Sequence, residues 1–181
     1  MSKFFIIPVL LRLVVIGWCL TATGCGSNEM VLRIPVQRRL PIGVDPPPFG
    51  SFLDFGADDG LDYIIRDIDA GGAARWTRDH PEMQFNVEFK PSLHLVVDFI
   101  VVAETFRSTG PVTLIVKVND SQIGSMRCDR AGEYHFEKPV PRELIKNNTP
   151  TRVTAEASPV WVSPSDGAHL GYLILRAGFR W

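Results

Sequence analysis

Helical texture is what this sequence has least of. Beyond residue 50, apolar residues rarely keep a helical spacing, and only Pro141 to Lys146 suggests a turn of helix, with proline at its start. Cysteine is scarce as well, with three in 181 residues: Cys19, Cys25 and Cys128. An excess of basic charge is missing, since 19 Lys and Arg face 20 Asp and Glu. That balance argues against a nucleic-acid binder, which would show a basic face, and gives no electrostatic reason to lie on an anionic membrane. No Gly-x-Gly-x-x-Gly follows a strand and no phosphate loop is present, so no nucleotide cofactor is expected. His80, His135 and His169 lack the spacing of metal ligands, and no metal is expected either.

The one long apolar run lies at the start. Lys3 supplies a short basic opening, and Phe4 to Leu20 is almost wholly apolar apart from Arg12. Small residues follow at Ala22, Thr23 and Gly24, as a signal peptidase requires. Leu20-Thr21-Ala22-Thr23-Gly24-Cys25 resembles a bacterial lipoprotein signal. There, small residues precede a cysteine that receives fatty acyl chains such as palmitate. Ala22 stands where leucine is commoner. Two other readings of the same residues stay open: a plain secretory signal, or an uncleaved anchor helix. The run of about 17 residues is at the lower edge of what spans a bilayer, and Arg12 would cost roughly 2.5–3.5 kcal/mol at its centre. Acyl chains would give stable anchoring, each buried methylene adding about 0.8 kcal/mol. Gly26-Ser27 puts no aspartate after the cysteine. In lipoproteins of double-membraned bacteria, that implies the outer membrane.

Three regions are therefore expected: a signal peptide over 1–24, a Pro-rich tether over 25–50 and a folded domain over 51–181. Removing the signal takes Lys3 and Arg12 and leaves 17 basic against 20 acidic residues, a net −3. Cys128 is then alone and can form no internal disulfide, so the domain must rest on its core. A lone thiol is usually a small buried apolar group. In the tether, Pro41, Pro46, Pro47 and Pro48 favour an extended, semi-rigid spacer, and Val31 to Val36 has the texture of a short strand.

From Ser51 onward a period of two takes over. Met83, Phe85, Val87 and Phe89 alternate with Glu82, Gln84, Asn86 and Glu88, which predicts a strand with one wet face. Leu93 to Ala103 is apolar on both faces and reads as a central strand. Val112, Leu114, Val116 and Val118 alternate again. Asn119-Asp120 then predicts a tight turn with positive φ, with Gln122 to Arg127 returning as the hairpin partner. Glu133 to Val140, Arg152 to Ala157 and His169 to Arg176 complete the strands. Ile64 to Ile68 is strand or irregular. Such a series predicts an all-β fold, an antiparallel β-sandwich.

Residues from about 73 to 179 resemble a family of β-sandwich modules with a jelly-roll, galactose-binding-like fold, found beside bacterial glycosyltransferases and in surface proteins. Arg75-Trp76, the hairpin Val118-Asn119-Asp120 with Ile123-Gly124, Val140-Pro141 before Glu143, Ser158-Pro159 with Ser163-Pro164, and Leu170-Gly171-Tyr172 carry the resemblance in order. Asp120 replaces the family's glycine. The resemblance implies a fold and a carbohydrate-related setting, and supplies no binding residue.

Sugar rings stack on aromatic faces, so Trp161, Trp76 and Tyr172, with Arg75 beside Trp76, are the candidate ligand-binding residues. Each has a competing reading as core. Trp161 sits in the Pro-flanked stretch from Pro159 to Pro164, where a ring is easily presented. Trp181 is expected to pack loosely or not at all. Asp54, Asp58, Asp59, Asp62, Asp67 and Asp69 precede Gly71-Gly72, but Asp58-Asp59-Gly60 does not follow a calcium loop, so a solvated acidic loop is expected. Asp79-His80 and Glu82, near Arg75 and Arg78, are the candidates for acid–base work. No serine stands in a nucleophile elbow, and the chain is read as no enzyme. The functional expectation is a membrane-anchored module that binds carbohydrate, a cell-envelope glycan for example. The alternatives are a structural or protein-interaction lipoprotein with an envelope protein as partner, and a surface glycan hydrolase.

Overall fold

A computed structural model describes residues 50–58, 60–146 and 149–181. The expected signal peptide, Cys25 and most of the expected tether fall outside those residues. The strands are β1 (Phe52–Asp54), β2 (Ile64–Ile68), β3 (Arg75–Phe85), β4 (His94–Val101), β5 (Val112–Val118), β6 (Ser121–Cys128), β7 (Gly132–Pro139), β8 (Thr151–Ser158), β9 (Trp161–Val162), β10 (His169–Leu170) and β11 (Leu173–Arg180). Among the described residues one α-helix, α1 (Ala103–Thr109), joins β4 to β5, and single 3-10 turns stand at Leu61–Tyr63 and Arg142–Leu144, the latter inside the expected helical turn from Pro141 to Lys146.

The fold is an all-β antiparallel sandwich. One layer runs β1-β11-β4-β7 and the other β6-β5-β8-β3-β2. Successive long strands mostly cross between the layers, which is the winding of a jelly roll. Strand β3 links them: Arg75 and Trp76 pair with β11, whereas Glu82 to Phe85 pair with β8. On the opposite side β6 leans on β7, where a Cβ added to Gly124 would lie 3.2 Å from the Phe136 ring.

Alternation explains the layers. Val112, Leu114, Val116 and Val118 of β5 are buried, while Thr113, Ile115 and Lys117 face outward. Val153, Ala155 and Ala157 of β8 meet them from the next strand. Leu95, Val97, Phe99 and Val101 of β4 fill the facing layer with Phe136, Ile174 and Phe179. Each such side chain contributes roughly 1.5–3 kcal/mol on burial. The β5–β6 turn has Asn119 at φ 47° and Asp120 at φ 67°, the paired positive values of a two-residue hairpin. Cys128 is buried and its thiol is pushed up to about 11 by desolvation, with the Asp129 charge adding. It is an inert core group.

Three expectations need correction. Strand β3 begins at Arg75, well before the alternating stretch, and ends at Phe85. Val87 stays buried beyond it without pairing as strand. The stretch from His169 to Arg176 is not one strand, because Gly171 and Tyr172 divide β10 from β11. Helix α1 begins where the β4 reading still ran on. With seven residues and only Thr105 buried, it is too short to show a helical period.

Candidate functional site

The outward face of the β5–β8–β3 layer is polar by the same alternation that makes its inner face apolar. Register then decides which charges meet. Lys117 on β5 faces Thr154, and Ile115 faces Glu156. Glu82 on β3 faces Thr154. Two ion-pair groups result. Buried Glu82 takes Arg66 Nε at 2.9 Å and Arg152 Nη1 at 3.4 Å. Glu156 accepts from Lys117 Nζ at 2.9 Å through Oε2 and pairs through Oε1 with His80 Nδ1 at 3.2 Å. The Lys117 hydrogen bond, helped by His80, holds the Glu156 carboxyl below its usual range.

Beside the second group the surface opens into a cleft of about 300 Å³, lined by Asp79, His80, Ile115, Glu156, Ala157, Ser158 and Val160. A second carboxylate–imidazole pair flanks it, His169 Nδ1 lying 2.9 Å from Asp79 Oδ1. The backbone N–H of His80 donates to Asp67 Oδ2 at 3.1 Å, and Arg78 donates twice to Asp69 at 3.0 and 3.1 Å. The polar groups of the cleft are therefore held in place from both sides of β3.

Gly171 is what lets β10 approach β3 so closely. A Cβ there would sit 2.8 Å from Thr77 Oγ1. Without one, Gly171 N–H donates to the Thr77 carbonyl at 2.8 Å, and Thr77 Oγ1 donates to the Tyr172 carbonyl at 3.0 Å. His169 is thereby brought to Asp79. The β9–β10 hairpin closes at its far end, where Gly167 N–H donates to the Ser163 carbonyl at 2.8 Å and Ala168 N–H to Asp166 Oδ1 at 3.1 Å.

The aromatic candidates separate. Tyr172 is withdrawn as a stacking residue. It is buried, edge-on to Phe99 at 5.1 Å between centroids, and its hydroxyl donates to the Ala155 carbonyl at 2.7 Å. Arg75 is withdrawn too, because it is buried with its guanidinium 4.6 Å above the Phe55 ring. Trp76 is half-buried in β3. Trp161 is half-buried in β9 rather than displayed on a loop, and the exposed residue of that strand is Val162. Its neighbour Val160 lines the cleft. Of the acid–base candidates, Asp79 and His80 enter the cleft, whereas Glu82 is taken by its two arginines. The acidic stretch forms turns and ties: Asp54 accepts from Gly56 N–H at 2.9 Å and Asp58 from Gly60 N–H at 3.2 Å.

Glu156 and Lys117 are not candidate site residues in the sequence, and Ser158 enters there only through the Ser158-Pro159 motif. Their signal is only an outward position in an alternating strand, shared with every polar neighbour. The β5–β8 register brings Lys117 to Glu156, and Glu156 in turn meets His80.

No family model matches the chain, and no curated protein matches it. Among solved structures, it is similar to an exo-β-1,3-galactanase from Phanerochaete chrysosporium crystallised with β-1,3-galactotriose. The TM-score is 0.40 at 10% identity, covering 73% of this chain and 29% of that one. It is also similar to a GH115 4-O-methyl-α-glucuronidase with specificity for decorated arabinogalactans, at TM-score 0.40 and 8% identity, covering 78% of this chain and 19% of the enzyme. The chain thus spans less than a third of either protein. Likenesses this distant transfer neither substrate nor activity.

Proposed function

We propose that the domain is a non-catalytic carbohydrate-binding module held at the cell envelope, on the outer membrane where there are two, by an acylated Cys25. The cleft between Asp79-His80 and Glu156-Ser158 carries the binding half of this reading. Its volume is at the low end of small-ligand sites, about 300–1,000 Å³. Its carboxylates and imidazoles are fixed by cross-strand partners, so sugar hydroxyls meet acceptors and donors that need no further ordering. Lys117 holds the Glu156 carboxyl low, which suits an ionised acceptor of sugar hydroxyls and not a general acid, which needs a raised pKa. The anchoring half rests on the residues from Leu20 to Cys25.

The detergent-solubilised full chain, applied to a glycan array, should retain at least one neutral glycan. His80→Ala and Glu156→Gln should weaken that binding by roughly tenfold or more, the scale of losing one well-ordered polar contact. An array without signal overturns the binding half. A Cys25→Ala protein that remains membrane-bound and unshifted in mass overturns the anchor. A second reading, engagement of an envelope protein, draws on the exposed Leu61 and Ile65 near the β2 edge strand. In-cell crosslinking that captures no abundant partner would count against it.

A further inference from the structure

A different part of the surface carries aromatic rings and cations in place of carboxylates. Strand β1 packs tightly on β11, with Phe52 opposite Gly178. Gly178, at φ 141°, makes this possible: a Cβ there would lie 2.5 Å from both Phe52 Cα and the Ser51 carbonyl oxygen. The Phe179 N–H donates to that same carbonyl at 2.6 Å. Phe52 is thus fixed by backbone, and Arg180 lays its guanidinium 4.0 Å from the centre of its ring. One residue on, Trp181 is 61% exposed, yet Lys90 holds its ammonium 3.8 Å from the indole. Between these pairs lies a hollow of about 320 Å³, lined by Ser51, Phe52, Phe179, Arg180 and Trp181.

Trp181 is the aromatic residue among the exposed large apolar side chains of the described residues, and it lines the same hollow as Phe52. The cations narrow the choice of ligand. A guanidinium or ammonium over a ring orients that ring and also leaves positive charge at the rim of the hollow. A concave site of one-ring size, with an aromatic floor and a cationic rim, fits a pyranose bearing a carboxylate. Its C–H face would stack on the indole face that Lys90 leaves open, and its carboxylate would meet Arg180 in the lining, with the Lys90 ammonium behind the indole adding attraction.

We propose that Phe52, Lys90, Arg180 and Trp181 form a subsite for acidic sugars of the hexuronate class. The assignment shares no residue with the cleft, so either can fail while the other stands. Charge complementarity and concavity favour a carboxylated glycan over a lipid surface, which would need a broader apolar face than one exposed indole.

The test uses the detergent-solubilised full chain, titrated with a tri-hexuronate and with a neutral trihexose of matched linkage, by calorimetry and tryptophan fluorescence. The acidic sugar should bind more tightly, and weaken as salt is raised. Trp181→Ala should lower its affinity by roughly tenfold or more, as for an aromatic anchor, with an unchanged melting temperature. Arg180→Gln and Lys90→Gln should each weaken the acidic sugar and leave the neutral one unaffected. Equal affinity for the two sugars overturns the proposal, as does acidic-sugar binding that Trp181→Ala leaves intact. No binding of either sugar, together with sedimentation on phosphatidylglycerol vesicles that Trp181→Ala abolishes in a Cys25→Ala background, overturns it in favour of a membrane-contacting face.

Discussion

In the cleft, carboxylates are held by imidazoles and an ammonium; in the hollow beside Phe52, aromatic rings are held by cations. The first set sits on β3, β5 and β8, where the β5–β8 register brings Lys117 to Glu156 and the side chains of β3 and β10 complete the pairs. The second sits where β11 runs out beside β1 and rests on one tight backbone contact at Gly178. Groups placed by register are hard to remove without disturbing the layer beneath them, whereas groups at a strand end can be removed singly. Binding and stability should therefore be coupled in the cleft and separable in the hollow.

The sharpest test of that contrast is Tyr172→Ala against Trp181→Ala. Tyr172 props Ala155, next to Glu156, from inside the core. Its truncation should cost about 3–5 kcal/mol, as for other large aromatic core residues, and cleft binding should go with it. Trp181→Ala should stay within about 0.5 kcal/mol of the parent, as exposed substitutions do. Urea denaturation reads both, and a large loss from Trp181→Ala would erase the distinction. Gly171→Ala comes next. Its new methyl would press on Thr77 Oγ1, at an overpacking cost of about 1–3 kcal/mol, and would push His169 from Asp79. Loss of cleft binding with preserved hexuronate binding is the expected pattern.

These effects also mark where sequence reading stops. The β5–β6 hairpin was legible because the alternation of β5 runs straight into the turn pair Asn119-Asp120, whereas the register shift between Val116 and Lys117 left no signal. The central position of β4 was legible because Leu95 to Phe99 carries a single polar residue, Asp98. Tyr172 and Trp161 were not separable, since an aromatic ring beside a Gly or Pro looks alike whether it plugs a core or faces water. Only the close approach of Gly171 to Thr77 sends Tyr172 inward. The cleft was half legible: Asp79 and His80 are adjacent in sequence, but Glu156 lies 76 residues from His80. Long-range pairing of that kind leaves no local trace. Nor does the hollow, because Phe52, Lys90 and Arg180 come from three separate segments.

The two layers should also titrate on opposite limbs. Glu156, on the cleft layer, has a depressed carboxyl through Lys117. Such a group contributes stability above its unfolded value, 4.5, and loses it as pH falls through the lower folded value. Lys117→Met should therefore be less stable than the parent at about pH 6, with the gap closing toward about pH 3. A gap of constant size in melting temperature would mean that Lys117 acts by packing alone.

The smallest effect belongs to the layer that carries the hollow. His135 on β7 lies across from Asp98 on β4, its Nδ1 2.5 Å from Asp98 Oδ1 and its Nε2 3.3 Å from Glu137 Oε2. Arg176 on β11 takes the other Asp98 oxygen at 2.8 Å. The Asp98 hydrogen bond, then the one to Glu137, raises the imidazole above its ordinary 6.5 against a smaller opposing desolvation. A raised folded value means the stabilisation is complete below the unfolded 6.5 and is lost as pH climbs through the folded value. The ring is more than half exposed, so solvent screens much of the gain. His135→Gln should thus fall short of the parent at about pH 5.5 and match it by about pH 9. Because Arg176 and Arg180 alternate outward along β11, this network and the hollow share one sheet face. A His135→Gln gap that widened with pH would mean that desolvation of the ring outweighs its hydrogen bonds to Asp98 and Glu137, and the two layers would no longer differ in the limb on which they titrate.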